Sequence, residues 1–372
     1  MEPRKTYPPP EGAEILIHQD GEQHGPMSME DVVSGIIRWK IKVPNALAWF
    51  PGLDDWIPLG DVEGPFTSIG ENMDESERRF RQEYRPEPEF LLAELDEGNG
   101  LHKKASTVYA RLAKDNYAPA QCNLGVLYLT GTGVWKDLKK ATQLLTAAAE
   151  QGHPRAQHNL GVIYSEDMGV TADFHAAACW FRSAADQGRV SSQFKLAHLY
   201  RKGLGVEQNP EEAVRLFMLA ADGGNSDAQY ALGSMFHTGD TVDQDFSCAG
   251  EWYFKAASQG HPHAMHNFAM MYQNGVGVEE DQENAARLFL AAAYHGLPES
   301  QFLIAIRLIE GNGVEVDLID AYAWLATAAD SGHGDARNVL RDLNRDWDKK
   351  MLSLGRDRAK EIARDIKEMS AK

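Results

Sequence analysis

A serine and a lysine about one helical turn apart are the first candidates for chemistry in this 372-residue chain. The spacing in Ser192-Gln193-Phe194-Lys195 would let the lysine take the serine proton, as in acyl-enzyme hydrolases. The Lys-Thr-Gly and Ser-Asp-Asn motifs that accompany this pair in such enzymes are not found in the sequence. A cell-wall or β-lactam-type hydrolase therefore stays as an alternative interpretation, and a protein that is not an enzyme is the main one.

Histidines and glycine-rich loops form two further patterns. His261, His263 and His266 are close enough in sequence to share a zinc or nickel ion, but no neighbouring carboxylate or thiolate completes a ligand set. Four loops read Gly-x-Gly-Val, without the preceding strand and the Lys-Ser/Thr pair of a phosphate-binding loop. We therefore predict no metal site, no cofactor and no catalytic residue.

The charge balance narrows the class of partner. The chain has 37 Lys and Arg against 55 Asp and Glu, a net charge of −18. Nucleic acids and anionic membranes need clustered cations, so we expect a protein or peptide partner, with basic segments favoured by the acidic repeats. No apolar run approaches the ~20 residues that span a bilayer. Three cysteines without a CxxC pair, and a start without a signal-peptide core, predict a cytoplasmic location.

A period of 36 residues organises most of the chain. Small, apolar and glycine positions recur in register without an insertion. One column of alanines reads Ala105, Ala141, Ala177, Ala213, Ala249, Ala285 and Ala321. A column of large apolar residues reads Leu124, Leu160, Leu196, Leu232, Phe268, Ile304 and Leu340. Such a repeat predicts stacked units that share one continuous core.

Each unit has the pattern of two helices joined by a turn. In residues 118–153, Leu124 lies on an apolar helical stripe, Gly125 permits close helix packing, and Gly131 ends the helix. Asp137 is the predicted N-cap of the second helix. The residues at that cap position in the later units are Asp173, Asn209, Asp245, Asp281 and Asp317.

These motifs resemble the Sel-one-like repeat, a relative of the tetratricopeptide repeat. The resemblance is carried by Ala120-Gln121-Cys122-Asn123-Leu124-Gly125-Val126-Leu127-Tyr128, by Gly131-Thr132-Gly133-Val134 and by Ala147-Ala148-Ala149-Glu150-Gln151-Gly152. It implies a mainly α fold, a right-handed α-solenoid of helix–turn–helix repeats (an α/α superhelix) that binds proteins in a concave groove. A last helix near residues 350–368 is expected to pack over the open end through Met351, Leu354, Ile362 and Ile366.

The first seventy residues have a different pattern. Strands are predicted at Ile15–His18 and Ala46–Trp49, with a hairpin turn at Asp20-Gly21 and a helix over 29–38. Gly25-Pro26 and Ala48-Trp49-Phe50-Pro51-Gly52-Leu53-Asp54-Asp55-Trp56-Ile57-Pro58-Leu59 resemble the GYF-like domains beside bacterial repeat modules. The resemblance implies a small α+β domain that binds a second partner, although Met27 replaces an aromatic residue and the Gly-Tyr-Phe triplet is missing. The predicted surface residues are Pro26, Met27, Trp39, Trp49 and Trp56.

The tetratricopeptide analogy places the first helix of each hairpin along the groove. The residues at three periodic offsets then form the predicted partner-binding surface, and they are adaptable aromatic, His, Met, Arg and Gln side chains. They are His158, Phe194, His198, Arg201, Tyr230, His237, His266, Met270, Gln273 and Phe302.

We therefore predict a protein–protein interaction adaptor or scaffold, with the N-terminal module as a second contact site. An autoinhibited regulator, in which that module covers the groove, is a further alternative. The predicted divisions are a disordered tail 1–12, a GYF-like domain 13–65, a linker 66–88, a degenerate first repeat 89–117, six repeats 118–333 and C-terminal capping helices 334–372.

Overall fold

A computed structural model describes residues 15–19, 22–27, 47–49, 57–58, 88–166 and 172–369. The first four ranges are strands, named β1 (Ile15–Gln19), β2 (Glu22–Met27), β3 (Leu47–Trp49) and β4 (Ile57–Pro58). They form one antiparallel sheet in the order β2-β1-β3-β4. The pairing of Gln19 with Glu22 and of Leu16 with Trp49 confirms the predicted hairpin and both predicted strands. The predicted helix 29–38, the tail and the linker lie outside the described residues.

The chain divides into two compact units. One is Met1–Leu199 with Leu204–Glu207, and the other is Tyr200–Gly203 with Gln208–Lys372. The helices of the first unit are α1 (Pro88–Gly98), α2 (His102–Lys114), α3 (Ala118–Thr130), α4 (Leu138–Glu150), α5 (Pro154–Ser165), α6 (Phe174–Asp186) and α7 (Val190–Lys202). The last residues of α7 are part of the second unit. The helices of the second unit are α8 (Pro210–Asp222), α9 (Ser226–Thr238), α10 (Phe246–Ser258), α11 (Pro262–Asn274), α12 (Gln282–Tyr294), α13 (Pro298–Glu310), α14 (Leu318–Asp330), α15 (Gly334–Asp346) and α16 (Lys349–Met369). The fold class is a mainly α solenoid of successive helix–turn–helix repeats, as predicted.

The helix ends follow the predicted capping residues. Gly131 ends α3 in the left-handed conformation, with φ of 80°. The Asp137 carboxylate accepts the Lys140 N–H at 3.0 Å, and this backbone hydrogen bond holds the pKa of Asp137 below its usual value. The later residues of that column cap their helices in the same way: Asp173, Asn209, Asp245, Asp281 and Asp317. Each hairpin therefore begins and ends where its own sequence specifies.

The core consists of the periodic small and apolar columns. The alanines of the column from Ala105 to Ala321 are at most 1% exposed. Glycine at the position after the large apolar residue allows the two helices of a hairpin to touch, because a Cβ at Gly161 would lie 2.5 Å from the Phe181 ring. A Cβ at Gly233 would lie 2.6 Å from the Tyr253 ring. Close helix packing at this column, predicted from the sequence, is confirmed.

Buried glutamines join most of the first helices to the helix before them. The side-chain amide of Gln229 donates to the carbonyl of Ala221 at 3.0 Å, and that of Gln301 donates to Ala293 at 3.1 Å. Gln259 then donates to the Gln229 side-chain oxygen at 2.7 Å, as Gln187 does to Gln157. These contacts satisfy polar atoms at helix ends and fix the spacing between hairpins.

The C-terminal helix buries its predicted apolar residues only in part. Ile362 is fully buried and Ile366 packs against the same cluster, as expected, and Met351 is half-buried. Leu354 is 47% exposed, so its predicted packing role is wrong. The reason is Tyr322, whose ring lies where a Cβ on Gly355 would be only 2.5 Å away, so the helix turns its smallest residue toward α14.

Candidate protein-binding surface

All ten residues predicted to face a partner are half-buried, and we call this set the binding strip. His158, Phe194 and His198 belong to the first unit, and the other seven belong to the second. The strip lies on the first helices, whose remaining columns of Ala, Leu and Gln are buried. The strip therefore combines contacts within the fold with access to solvent.

Aromatic residues of the strip stack on the histidine that caps the next first helix. The ring of Tyr230 lies 4.7 Å from that of His261 at an interplanar angle of 19°. Phe302 lies 4.6 Å from His333 at 20°. The two pairs have the same sequence separation, so the stacking is a repeated joint between hairpins. These aromatic rings support the stack and are themselves half-buried.

Histidines of the strip hydrogen-bond a buried serine of the next first helix. His158 Nδ1 lies 2.9 Å from Ser192 Oγ, and His266 Nδ1 lies 2.8 Å from Ser300 Oγ. Both serines are 0% exposed. Burial lowers the pKa of His266, with Glu299 acting in the opposite direction and His263 in the same one. A neutral imidazole at this position is therefore part of the joint.

Other strip residues contact a buried arginine or the hairpin core. Gln273 accepts a hydrogen bond from Arg307 at 2.7 Å, and Arg307 also donates to the carbonyl of Asn312 at 3.0 Å. Burial lowers the pKa of Arg307. Met270 packs against the core cluster of the last repeats. The arginine holds the Gln273 side chain in one orientation on the strip.

His237 is the strip residue with an unused polar atom. Its ring packs edge-on against Phe246 at 5.2 Å, and its Nδ1 is buried without a hydrogen-bond partner in the described part of the chain. Unpaired buried nitrogens are uncommon, because leaving one unsatisfied costs about 1–3 kcal/mol. This nitrogen is itself buried, so it is not exposed on the surface of the strip.

The remaining strip residues lie on α7. The rings of Phe194 and His198 pack edge to face at 4.6 Å in the first unit. Arg201 is half-buried in the last turn of the helix and belongs to the second unit. Phe194 and His198 form one local pair that reaches solvent.

The serine and lysine of the hydrolase alternative have different partners. Ser192 is fully buried and bonded to His158, whereas Lys195 Nζ lies 3.7 Å from Glu166. A nucleophile must reach its substrate, and this hydroxyl has no exposed surface. The repetition of the same Ser–His pair at Ser300 and His266 indicates a structural role.

The three neighbouring histidines also have separate tasks. His261 Nδ1 accepts the N–H of Ala264 at 3.1 Å, and its Nε2 lies 3.3 Å from Asp227. His266 is paired with Ser300, and His263 is exposed. Within residues 88–166 and 172–369, no group of three or more His, Cys, Asp or Glu side chains is arranged to hold a metal ion.

The predicted surface of the N-terminal domain is only partly placed. Pro26 and Met27 lie in β2, where Met27 pairs with Ile15, and Trp49 lies in β3. Trp39 and Trp56 lie outside the described residues. The assignment of this surface stays a prediction.

Sequence reasoning missed the capping histidines His153, His261 and His333 and the buried Arg307. The signal for the histidines was their column, which immediately precedes each first helix and holds Arg189, Asn225 and Leu297 in the intervening units. Arg307 had no comparable signal, because arginine is seldom buried and its partners come from neighbouring turns.

The family follows from a comparison with repeat models. The Sel1 repeat model matches residues 118–153, 154–188, 190–225, 226–261, 262–297 and 298–333, more than half of the chain. The chain belongs to the Sel1 repeat family. Residues 16–64 match the model of GYF domain 2. Proteins built from Sel1 repeats are generally protein–protein interaction scaffolds.

Solved structures of Sel1 repeat proteins are similar to this chain. One is c5321, a protective antigen of uropathogenic Escherichia coli with an SLR fold, at 31% identity and a TM-score of 0.63 over 71% of this chain. This chain spans 56% of that protein. Another is a Sel1 repeat protein from Oxalobacter formigenes, at 26% identity and a TM-score of 0.59 over 64% of this chain and 96% of that one. A comparison with curated protein sequences gave no match.

The described helices were also compared with the requirements for crossing a bilayer. None of the sixteen helices in residues 88–166 and 172–369 is both long and apolar enough to span a membrane.

Proposed function

We propose that this Sel1 repeat protein is a cytoplasmic adaptor that binds a protein partner through the strip residues of its second unit, with its GYF-like domain as a second contact site. The observation that carries the proposal is that all ten strip residues are half-buried, on helices whose recurring Ala, Leu and Gln columns are buried. Aromatic and Arg side chains at such positions provide most of the binding energy in protein interfaces.

The second unit favours a basic partner segment. Residues 208–336 contain nineteen acidic and four basic residues. An excess of one charge steers a partner of the opposite charge and raises its association rate. The partner we expect is therefore a peptide segment with Lys or Arg beside apolar residues, which would contact Tyr230, Met270 and Phe302.

Site-specific photo-cross-linking in cells tests the proposal. A benzophenone side chain at Met270 would capture a defined partner, and the same group at Phe254, which is 59% exposed on the second helix α10, would not. The captured partner is then purified, and its affinity is measured for the intact chain and for Met270→Glu and His237→Ala.

We expect at least a tenfold loss of affinity in the variants, and weaker binding at high salt. Equal capture at both positions, or an affinity that neither substitution changes, would contradict a binding role for the strip.

A further inference from the structure

We propose a second docking site, distinct from the binding strip, between the degenerate repeat 89–117 and the first full repeat 118–153. Its ligand is an acidic peptide that carries one bulky apolar side chain. The site is a cleft of about 730 Å³ between α2, the turn after α3 and the start of α4. We call it the Trp135 cleft, after a residue that lines it. The other lining residues are Lys103, Ser106, Thr107, Tyr128, Gly131, Gly133, Val134, Lys136, Asp137 and Lys140.

The apolar part of the cleft is a tryptophan that the fold leaves uncovered. Trp135 is 94% exposed, the largest value among the exposed large apolar residues of the described chain. The turn that carries it packs closely on α2, because a Cβ on Gly133 would lie 2.6 Å from His102. An exposed indole is an effective binding anchor, because tryptophan offers a large apolar contact area and has only two side-chain torsions to order.

The polar part of the cleft is cationic. Lys103, Lys136 and Lys140 are exposed around it, and Lys140 Nζ lies 5.3 Å above the Tyr128 ring. The one acidic side chain in the lining, Asp137, accepts the Lys140 N–H as the N-cap of α4 and also forms an ion pair with Lys140 Nζ at 3.4 Å. Its carboxylate therefore neutralises only part of the local positive charge.

This positive charge is opposite to the acidic balance of most of the chain. Residues 101–140 contain seven Lys and Arg against two Asp, whereas the whole chain has a net charge of −18. The local excess is the reverse of that in residues 208–336. The cleft therefore favours a ligand of negative charge, whereas the acidic second unit favours one of positive charge.

The other repeats show that the hairpin does not require these residues. The position of Trp135 is occupied by an acidic residue in each of the last four repeats. Those residues are Glu207, Asp243, Glu279 and Glu315. The position of Lys136 holds Gln208, Gln244, Glu280 and Val316. Among the six full repeats, only residues 118–153 combine the indole with lysines. These residues are therefore not needed for the hairpin fold, which indicates that they serve binding at this surface.

An acidic peptide fits these features better than a long polyanion does. A nucleic acid or an anionic membrane would extend beyond the cleft and meet the acidic surface of the rest of the chain. A short segment of Asp and Glu around one aromatic or large aliphatic residue engages only the cleft. Its apolar side chain would cover Trp135, and its carboxylates would pair with the three lysines.

The test uses the intact chain and fluorescence anisotropy. The probe is a short fluorescein-labelled peptide of Asp and Glu around one central Phe, compared with one of Asn and Gln around Phe and one with Ala in place of Phe. The variants are Trp135→Ala and the pair Trp135→Glu with Lys136→Gln, which installs the residues of the third repeat. We expect at least a tenfold loss of affinity in both variants and with both altered peptides.

The matched control is Glu279→Gln with Glu280→Gln, at the same positions of the fifth repeat, and it should leave the affinity within about twofold. Circular dichroism melting establishes that each variant is folded. The proposal is overturned if the acidic peptide does not bind at millimolar concentration, or if the Trp135 variants bind it as the intact chain does. It is also overturned if vesicles of anionic phospholipid or single-stranded DNA bind this cleft more tightly than the peptide.

Discussion

The imidazole of His261 lies against the phenol ring of Tyr230, with ring centroids 4.7 Å apart and the planes 19° from parallel. The same imidazole accepts the Ala264 N–H through Nδ1 and so caps α11. One side chain thus joins α9 to the start of the next first helix. The cap requires a neutral ring, because a protonated Nδ1 is a donor and cannot accept.

We predict that this joint weakens in acid. Burial lowers the pKa of His261 below the ordinary value of 6.5, with His263 acting in the same direction and Asp227 opposing it. A lowered folded-state pKa means that the unfolded chain binds more protons, so this contribution to stability is complete above about pH 6.5 and is lost as the pH falls through the folded-state pKa. The expected loss is about 1 kcal/mol, the usual value of an N-cap.

The control for this prediction is His261→Asn. Asparagine caps α9 in the equivalent position, where Asn225 accepts the Ala228 N–H at 2.7 Å. The variant should keep the cap and show a smaller change in the free energy of urea unfolding between pH 7 and 5. An unchanged pH dependence would show that His261 is not the titrating group.

The His266–Ser300 pair gives a second prediction. Ser300→Ala removes the hydrogen-bond partner of His266 Nδ1. Because Ser300 is fully buried, water does not reach the vacated position. We expect a loss of about 1–3 kcal/mol, the cost of an unsatisfied buried polar group. The double variant His266→Phe with Ser300→Ala should recover part of it, since Phe302 occupies the same column in the next repeat. Thermal unfolding of the single and double variants measures both effects, and a neutral Ser300→Ala would refute the prediction.

A gap in the glutamine contacts predicts a stabilising substitution. Gln301 Oε1 is buried without a hydrogen-bond partner in the described chain. The column that supplies Gln151, Gln187 and Gln259 to the equivalent oxygens of other repeats holds Ser331 here. Ser331→Gln should therefore raise the free energy of unfolding by about 1 kcal/mol.

Two comparisons check the Ser331→Gln prediction. The same substitution in a Gln301→Leu background should give no gain, because the acceptor oxygen is then missing. A gain of equal size in both backgrounds would show that the new glutamine acts elsewhere.

The C-terminal helix gives a fourth prediction. Gly355→Val should displace α16 from α14, because even a Cβ would approach the Tyr322 ring to 2.5 Å. Overpacking of this kind costs about 1–3 kcal/mol. The ion pair of Arg358 with Asp320, at 2.7 Å, should be lost at the same time. Hydrogen exchange should show faster exchange of the amide of the buried Ile362, whereas Ser353→Ala on the exposed side of the same helix should have no such effect.

The exposure of Leu354 in α16 shows what the sequence pattern could not predict. The apolar spacing predicted the helix and the burial of Ile362, since both depend on a pattern along one element. The same spacing also selected Leu354, which is exposed. The choice between Leu354 and Gly355 depended on the shape of Tyr322 on another helix, and a one-dimensional pattern contains no information about that shape.

The amino-acid sequence by itself determined the hairpin repeat, its caps and its buried columns. These features act through backbone geometry and side-chain size within a few residues, as Asp137, Gly131 and the alanine column show. Most repeats carry the same or an equivalent residue at these positions. The tertiary structure decided which contacts the strip residues make. Whether Tyr230 stacks on His261, or His266 pairs with Ser300, depends on contacts between successive hairpins, and the exposure of Trp135 depends on what the packed turn leaves uncovered.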